Sequence, residues 1–237
     1  MKNLFMLATA LTVSSLAMAD EQHWSYEGDD GPTHWGGLCN SGKNQSPVDL
    51  RDAVSAKLAP LSFKYQSLAQ DVFNNGHTVQ VTYAPGSELT VDSHRYQLKQ
   101  FHFHAPSEDL LNGKRFPLEA HFVHADEDGN LAVVAVFVEE GAANAALEKL
   151  GKDLPVRAGD KHDLVVKVAA AELMPKTRDY YRFSGSLTTP PCSEGVNWLV
   201  LKHPITASEE QIEHLHAAMG HDNARPVQPL NARIIVK

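Results

Sequence analysis

Polar and apolar residues alternate with a period of two through much of this chain, and that alternation predicts strands. The runs are LSFKY (61–65), TVQVTY (78–83), YQLKQFHFH (96–104), PLEAHFVHA (117–125), NWLVL (197–201) and ARIIV (232–236). NLAVVAVFV (130–138) is apolar at both parities, which predicts a central strand covered on both faces. Helical signals are few. GAANAALEKL (141–150) is rich in alanine and predicts one helix. Thr206-Ala207-Ser208-Glu209 has the form of a capping box and predicts a second, ending near Gly220. The balance is a mostly β fold with peripheral short helices. No repeat, low-complexity tract or linker divides it.

Two N-terminal stretches modify that picture. MKNLFMLATALTVSSLAMA has Lys2, then a short apolar run, then Ala17-Met18-Ala19. This is the form of a secretory signal peptide over 1–19, leaving one domain over 20–237. The apolar run is too short to span a bilayer comfortably, and no later stretch looks transmembrane. An exported chain is expected, with the periplasm as its destination. The segment from Glu21 to Leu50 is rich in Gly, Asn, Asp and aromatics, and predicts irregular structure pinned by Trp24, Tyr26 and Trp35.

Charge and cysteine usage narrow the partners. The formal net charge is −8, and removing the leader with its single charge, Lys2, makes it −9. An acidic chain without a Lys/Arg cluster excludes nucleic acid as the expected partner. Cys39 and Cys192 are the two cysteines, and an oxidising compartment predicts a disulfide between them. So long a loop would gain about 5 kcal/mol in a chain-entropy account. Neither cysteine has a CxxC neighbour, which argues against a thiolate metal site.

The strand pattern carries unusual chemistry at QFHFH. On a strand, Gln100, His102 and His104 share one face, while Phe101 and Phe103 share the other. In PLEAHFVH, Glu119, His121 and Val123 share a face. If the two strands are neighbours, His121 joins His102 and His104. Three neutral imidazoles around Zn²⁺ leave a fourth position for water, the layout of a catalytic zinc site. Gln100 and Glu119 could hold the second ring nitrogens of ligands. An HxH pair alone is more often an ordinary polar face; HxH, ExH and matching parity together point to metal. His124 lies on the opposite face from His121 and reads as structural.

HWSYEGDDGPTHWG, QSPVDL, NNGH, QFHFH…SE, LEAHFVH, GSLTTPPCSEGVNW and NARPVQPLN are all similar to motifs of the α-class carbonic anhydrases, in family order. Over nearly all of 20–237 the chain resembles the exported bacterial branch. The resemblance implies a single domain around a large, twisted, mainly antiparallel sheet with a conical active-site cleft. It implies one Zn²⁺ per chain and reversible hydration of CO2 to bicarbonate by zinc-bound hydroxide.

The site residues it implies are as follows. His102, His104 and His121 match the zinc ligands, and Gln100, Glu119 and Asn223 their supports, Asn223 through its backbone oxygen. Thr188 and Glu108 match the pair that orients the hydroxide. Ionised Glu108 can only accept, so it takes the Thr188 proton and leaves Thr188 to accept from the hydroxide. Val123, Val133, Leu187, Val196 and Trp198 match the apolar wall beside CO2, and Thr189 a bicarbonate or water contact. His77 matches the proton shuttle, a task suited to a base with pKa near 7. Tyr26, Asn75 and Gln80 match the residues that order shuttle water; many relatives have Asn where Gln80 stands. Exported bacterial relatives often dimerise, so a homodimer is possible. The competing readings are a catalytically silent binding module of the same fold and a periplasmic zinc store. Loss of a ligand histidine would favour the first and exposed His-rich tracts the second; the chain has neither.

Overall fold

The computed structural model describes residues 23–237, so the leader over 1–19 lies outside the described residues. Thirteen strands follow in chain order: β1 (Asp49–Leu50), β2 (Ser62–Lys64), β3 (Ala69–Asn74), β4 (Val79–Tyr83), β5 (Glu88–Val91), β6 (His94–His104), β7 (Leu110–Leu111), β8 (Leu118–Ala125), β9 (Leu131–Glu140), β10 (Lys161–Asp163), β11 (Tyr180–Ser186), β12 (Glu194–Leu201) and β13 (Ile205–Ala207). The α-helices are α1 (Leu38–Ser41), α2 (Ala145–Gly151) and α3 (Glu209–Met219). Eleven of the strands form one sheet with the spine β10-β3-β4-β6-β8-β9-β12-β11. Its pairings are antiparallel except where β12 and β13 each run parallel to β9. The sheet is therefore mixed, and mainly antiparallel as expected.

The sheet separates two apolar clusters, and its central strands feed both. Phe101 and Phe103 of β6, Phe122 of β8 and Val134, Val136 and Val138 of β9 pack in one cluster with residues of α2 and α3. Val133, Ala135 and Phe137 of β9 pack in the other, with Phe183, Val196 and Trp198. This explains why 130–138 is apolar at both parities: neither face of β9 meets water. Phe101, Phe103 and Phe122 are fully buried, which contributes about 1.5–3 kcal/mol each. A one-residue slip of β6 would bury its imidazoles in their place, so the phenylalanines fix which face the histidines take.

Several expectations need correction. ARIIV forms no strand; it makes only isolated bridges from Val236 to Val54 and Arg182. Ile235 is buried while Ile234 is 65% exposed, so one side chain anchors a tail at the molecular margin. The helix expected from 141 opens at Ala145, because the Asn144 side chain caps it by accepting from the backbone N–H of Ala146 and Leu147. The capping box is real but displaced by two residues. Ser208 is the N-cap and Gln211 its reciprocal partner, while Thr206 and Ala207 belong to β13. Gly220 ends α3 in the left-handed region, with φ of 79°. The irregular segment holds together as expected. Trp24, Tyr26 and Trp35 contact one another edge-on, and the Trp35 indole N–H donates to the carbonyls of Ser25 and Asp30. Cys39 and Cys192 are joined.

Candidate metal centre

The β6–β8 register sets His102 directly opposite His121 and His104 opposite Glu119. His104 and His121 are 1% exposed. One nitrogen from each of His102, His104 and His121 falls in a group whose members all lie within 4.8 Å of one another. Ring centroids are 5.0 Å apart for His102–His104, 5.5 Å for His102–His121 and 4.5 Å for His104–His121.

Each ring is oriented from behind. Nδ1 of His102 is 2.8 Å from Gln100 Oε1, and Nδ1 of His104 is 2.8 Å from the carbonyl oxygen of Asn223. Both partners only accept, so both Nδ1 atoms carry the proton and both Nε2 lone pairs point inward. Nε2 of His104 is buried without a hydrogen-bond partner. His121 is turned the other way, with Nε2 3.3 Å from Glu119 Oε1. The second oxygen of Glu119 accepts from the backbone N–H of Glu108 and Asp109. Burial, then repulsion from neighbouring imidazoles, holds His102 and His121 well below the usual histidine range, and burial lowers His104 to about 4. The rings are thus neutral, as ligands must be.

Glu108 sits beside this trio, on the side of its inward nitrogens. Its Oε2 lies 3.4 Å from His104 Nε2 and 3.8 Å from His121 Nδ1. Its Oε1 accepts from the backbone N–H of Arg225 at 2.9 Å. Burial pushes Glu108 up to about 8, opposed by that bond and by a hydrogen bond with the Thr188 side chain. Burial also pushes Glu119 up to about 7 and raises Asp109. A dication at the imidazoles would reverse this tendency by setting positive charge beside the carboxylates. An orphaned inward nitrogen on His104, neutral rings and buried carboxylates beside them make a donor set that fits zinc.

The remaining residues surround this centre in two halves. Val133, Val196 and Trp198 are buried in the second cluster, with Val123 and Leu187 packed against it. Trp198 meets the His121 ring edge-on at 4.9 Å and donates its indole N–H to Ser186 O. Thr189 is half-buried, and its carbonyl accepts from Cys192 N. On the polar side, Gln80 is opposite His102 in the β4–β6 register. His77 stacks on Trp24 with centroids 3.7 Å apart, and Tyr26 lies between Trp24 and His221. Asn75 is exposed; its side chain closes the turn by accepting from the N–H of His77 and Thr78. His77 and Trp24 line a cavity of about 750 Å³ with Trp35, Pro190 and Pro191. None of the three imidazoles lines it, so it is distinct from the metal centre.

The eukaryotic-type carbonic anhydrase family model matches residues 30–237. A carbonic anhydrase of Pectobacterium carotovorum is 50% identical over 243 residues, covering 100% of both chains. The α-carbonic anhydrase of Thermovibrio ammonificans, solved with the inhibitor sulfanilamide, superposes with a TM-score of 0.89 at 52% identity, covering 91% of this chain and 99% of that one. The Photobacterium profundum α-carbonic anhydrase gives 0.88 at 49%, covering 91% and 100%. The chain belongs to the eukaryotic-type carbonic anhydrase family.

Within this carbonic anhydrase, three contributors escaped the sequence reading. Arg225 is 1% exposed and reaches Glu108 through its backbone. Asp109 is fully buried beside Glu119, and Gln45 is 3% exposed among the groups around Arg225. A lone arginine before proline and a second acid after Glu108 look like surface residues until the fold encloses them. The available signal was their place inside motif-like stretches, GKNQSP, SED and NARP.

Proposed function

We propose that the chain catalyses the reversible hydration of CO2 to bicarbonate and a proton, with His102, His104 and His121 holding one zinc ion. The observation that carries this is three neutral imidazoles converging within 4.8 Å with the buried Glu108 carboxylate beside their inward nitrogens. When bound, zinc supplies a Lewis acid that lowers the pKa of water to about 7, an effect for which carbonic anhydrases are themselves the reference case. Gln100, Asn223 and Glu119 hold the rings so that their lone pairs stay directed inward.

The chain's other residues steer the reaction. Glu108 accepts the Thr188 hydroxyl proton, which leaves Thr188 to accept from the attacking hydroxide and aim its lone pair. Species without a proton to give are disfavoured at the same position. Val123, Val133, Leu187, Val196 and Trp198 keep CO2 on a dry wall, and Thr189 offers a polar contact to bicarbonate. His77 passes the released proton outward through water ordered by Tyr26, Asn75 and Gln80. Burial lowers the His77 pKa, and the charges of His221 and His23 add to this, which favours release of a proton it has taken up.

The disulfide fits an exported protein, and no helix among the described residues is long and apolar enough to cross a membrane. Delivery to the periplasm after cleavage of 1–19 is part of the same reading. A silent binding module is disfavoured because the imidazole trio is intact. Stopped-flow CO2 hydration by the mature protein, before and after a zinc chelator, tests the function. Hydration should fall to the uncatalysed background on complete zinc removal; unchanged hydration contradicts the mechanism.

A further inference from the structure

Arg225 combines a buried charge with an odd set of partners. Its Nη1 donates to Gln45 Oε1 at 2.9 Å and Ser46 O at 2.7 Å, and its Nη2 donates to Cys39 O at 2.7 Å. All three acceptors are neutral. A buried guanidinium is costly unless its fork is satisfied, and neutral carbonyls place it without neutralising it. Its charge is therefore left to act on Glu108, whose Oε1 also accepts from the Arg225 backbone N–H at 2.9 Å.

The acceptors lead to the other half of the orienting pair. Cys39 is one end of the disulfide, and the carbonyl of Cys192, the other end, accepts from Gln45 Nε2 at 3.1 Å. Cys192 N in turn donates to Thr189 O at 2.8 Å, closing the turn that follows Thr188. Ser46 and Ser186 exchange backbone-to-hydroxyl bonds at 2.9 and 3.2 Å, which ties the Gln45 segment to the strand leading into Thr188. Glu108 and Thr188, distant in sequence, thus depend on one buried hub of Arg225, Gln45 and the disulfide.

Resting on the Thr188–Glu108 reading above, we propose that Arg225 is a positioning residue for the hydration reaction, its guanidinium gripping the Cys39 end of the Cys39–Cys192 bridge while its backbone N–H holds the carboxylate of Glu108. The disulfide then holds the reacting geometry as well as the fold. Opening it frees the Cys39 and Cys192 segments that the hub grips, and Glu108 loses its fixed relation to Thr188.

The test compares the parent chain with Arg225→Lys, which keeps the charge and loses the fork. Zinc affinity by competitive chelation should stay within about threefold, while CO2 hydration falls about tenfold. Preference for bisulfide, which can donate to Thr188, over nitrate, which cannot, should narrow by about the same factor. A residue that only supported the fold would not move that preference. Thr188→Ala is the control. If it leaves hydration and preference unchanged, the Thr188–Glu108 reading itself fails. If Thr188→Ala changes both and Arg225→Lys stays within about twofold on both, Arg225 does not position Glu108. Should Arg225→Lys not fold, the parent chain decides after reduction by a dithiol and alkylation of both cysteines, assayed zinc-loaded well below its melting temperature. Loss of hydration and preference with zinc retained supports the proposal; full retention of both overturns it.

Discussion

The inner centre and the outer rim of this carbonic anhydrase are built by different means. His102, His104 and His121 stand on adjacent strands, and the phenylalanines on the reverse face of the same strands lock their register. His77 stands on a turn closed by Asn75, stacked on Trp24 from the irregular N-terminal segment. Strands can hold ligand atoms to a few tenths of an ångström, which a metal needs. A proton carrier, the role proposed for His77, needs exposure, and His77 sits on a turn at the edge of a 750 Å³ cavity. The proposed function thus sets ligands on the sheet and proton exchange on a loop.

The largest effect should come from the inner centre. His102→Ala is expected to lose both bound zinc and CO2 hydration to background, measured by metal analysis and stopped flow; retained zinc with full turnover would break the distinction at its root. The rim should behave differently. His77→Ala should keep zinc and lose turnover by about 10²-fold at low buffer, with imidazole restoring it. If buffer concentration makes no difference, His77 is not the carrier. Reducing the Cys39–Cys192 bridge, which ties the N-terminal segment to the Thr188 turn, should cost about 5 kcal/mol and lower the melting temperature by roughly 10–20 °C. An unchanged melting temperature would separate the rim from the stability of the sheet.

The smallest effect concerns the reverse face. His124 is fully buried between the Tyr65 hydroxyl at 2.7 Å and Ala132 O at 3.2 Å, and burial lowers its pKa to about 4. Between about 4 and its ordinary 6.5, the unfolded chain binds a proton there that the folded chain does not. Stability from this group is therefore complete above about 6.5 and falls as pH drops toward 4, by about 3 kcal/mol in total. His124→Gln should flatten the dependence of melting temperature on pH in that window. An unaltered slope would assign acid sensitivity elsewhere.

These two regions were also unequally legible. The imidazole trio could be read from residue types and strand parity, because alternation fixes which side chains share a face. The sheet's hydrophobic strands were legible for the same reason. β3, β5 and β11 were not, since QDVFN, ELTV and YYRFSGS mix polar residues at positions that only neighbouring strands make sense of. ARIIV misled in the other direction, having the pattern of a strand but only isolated bridges at Val236. The roles suggested for Thr188, Asn223 and His77 came from resemblance alone. Each depends on contacts between segments far apart in the chain, such as Asn223 with His104 and Trp24 with His77. Arg225 was missed because nothing local distinguishes a buried arginine from an exposed one.

The central claim is that one zinc ion at His102, His104 and His121 makes the chain an enzyme. Titrating zinc into the metal-free mature protein while following CO2 hydration tests it most directly. Hydration should stay at the uncatalysed background without zinc and rise linearly to a break at one zinc per chain, a rise absent in His102→Ala. Hydration above background by the metal-free protein, or restoration by zinc in His102→Ala, would contradict the claim.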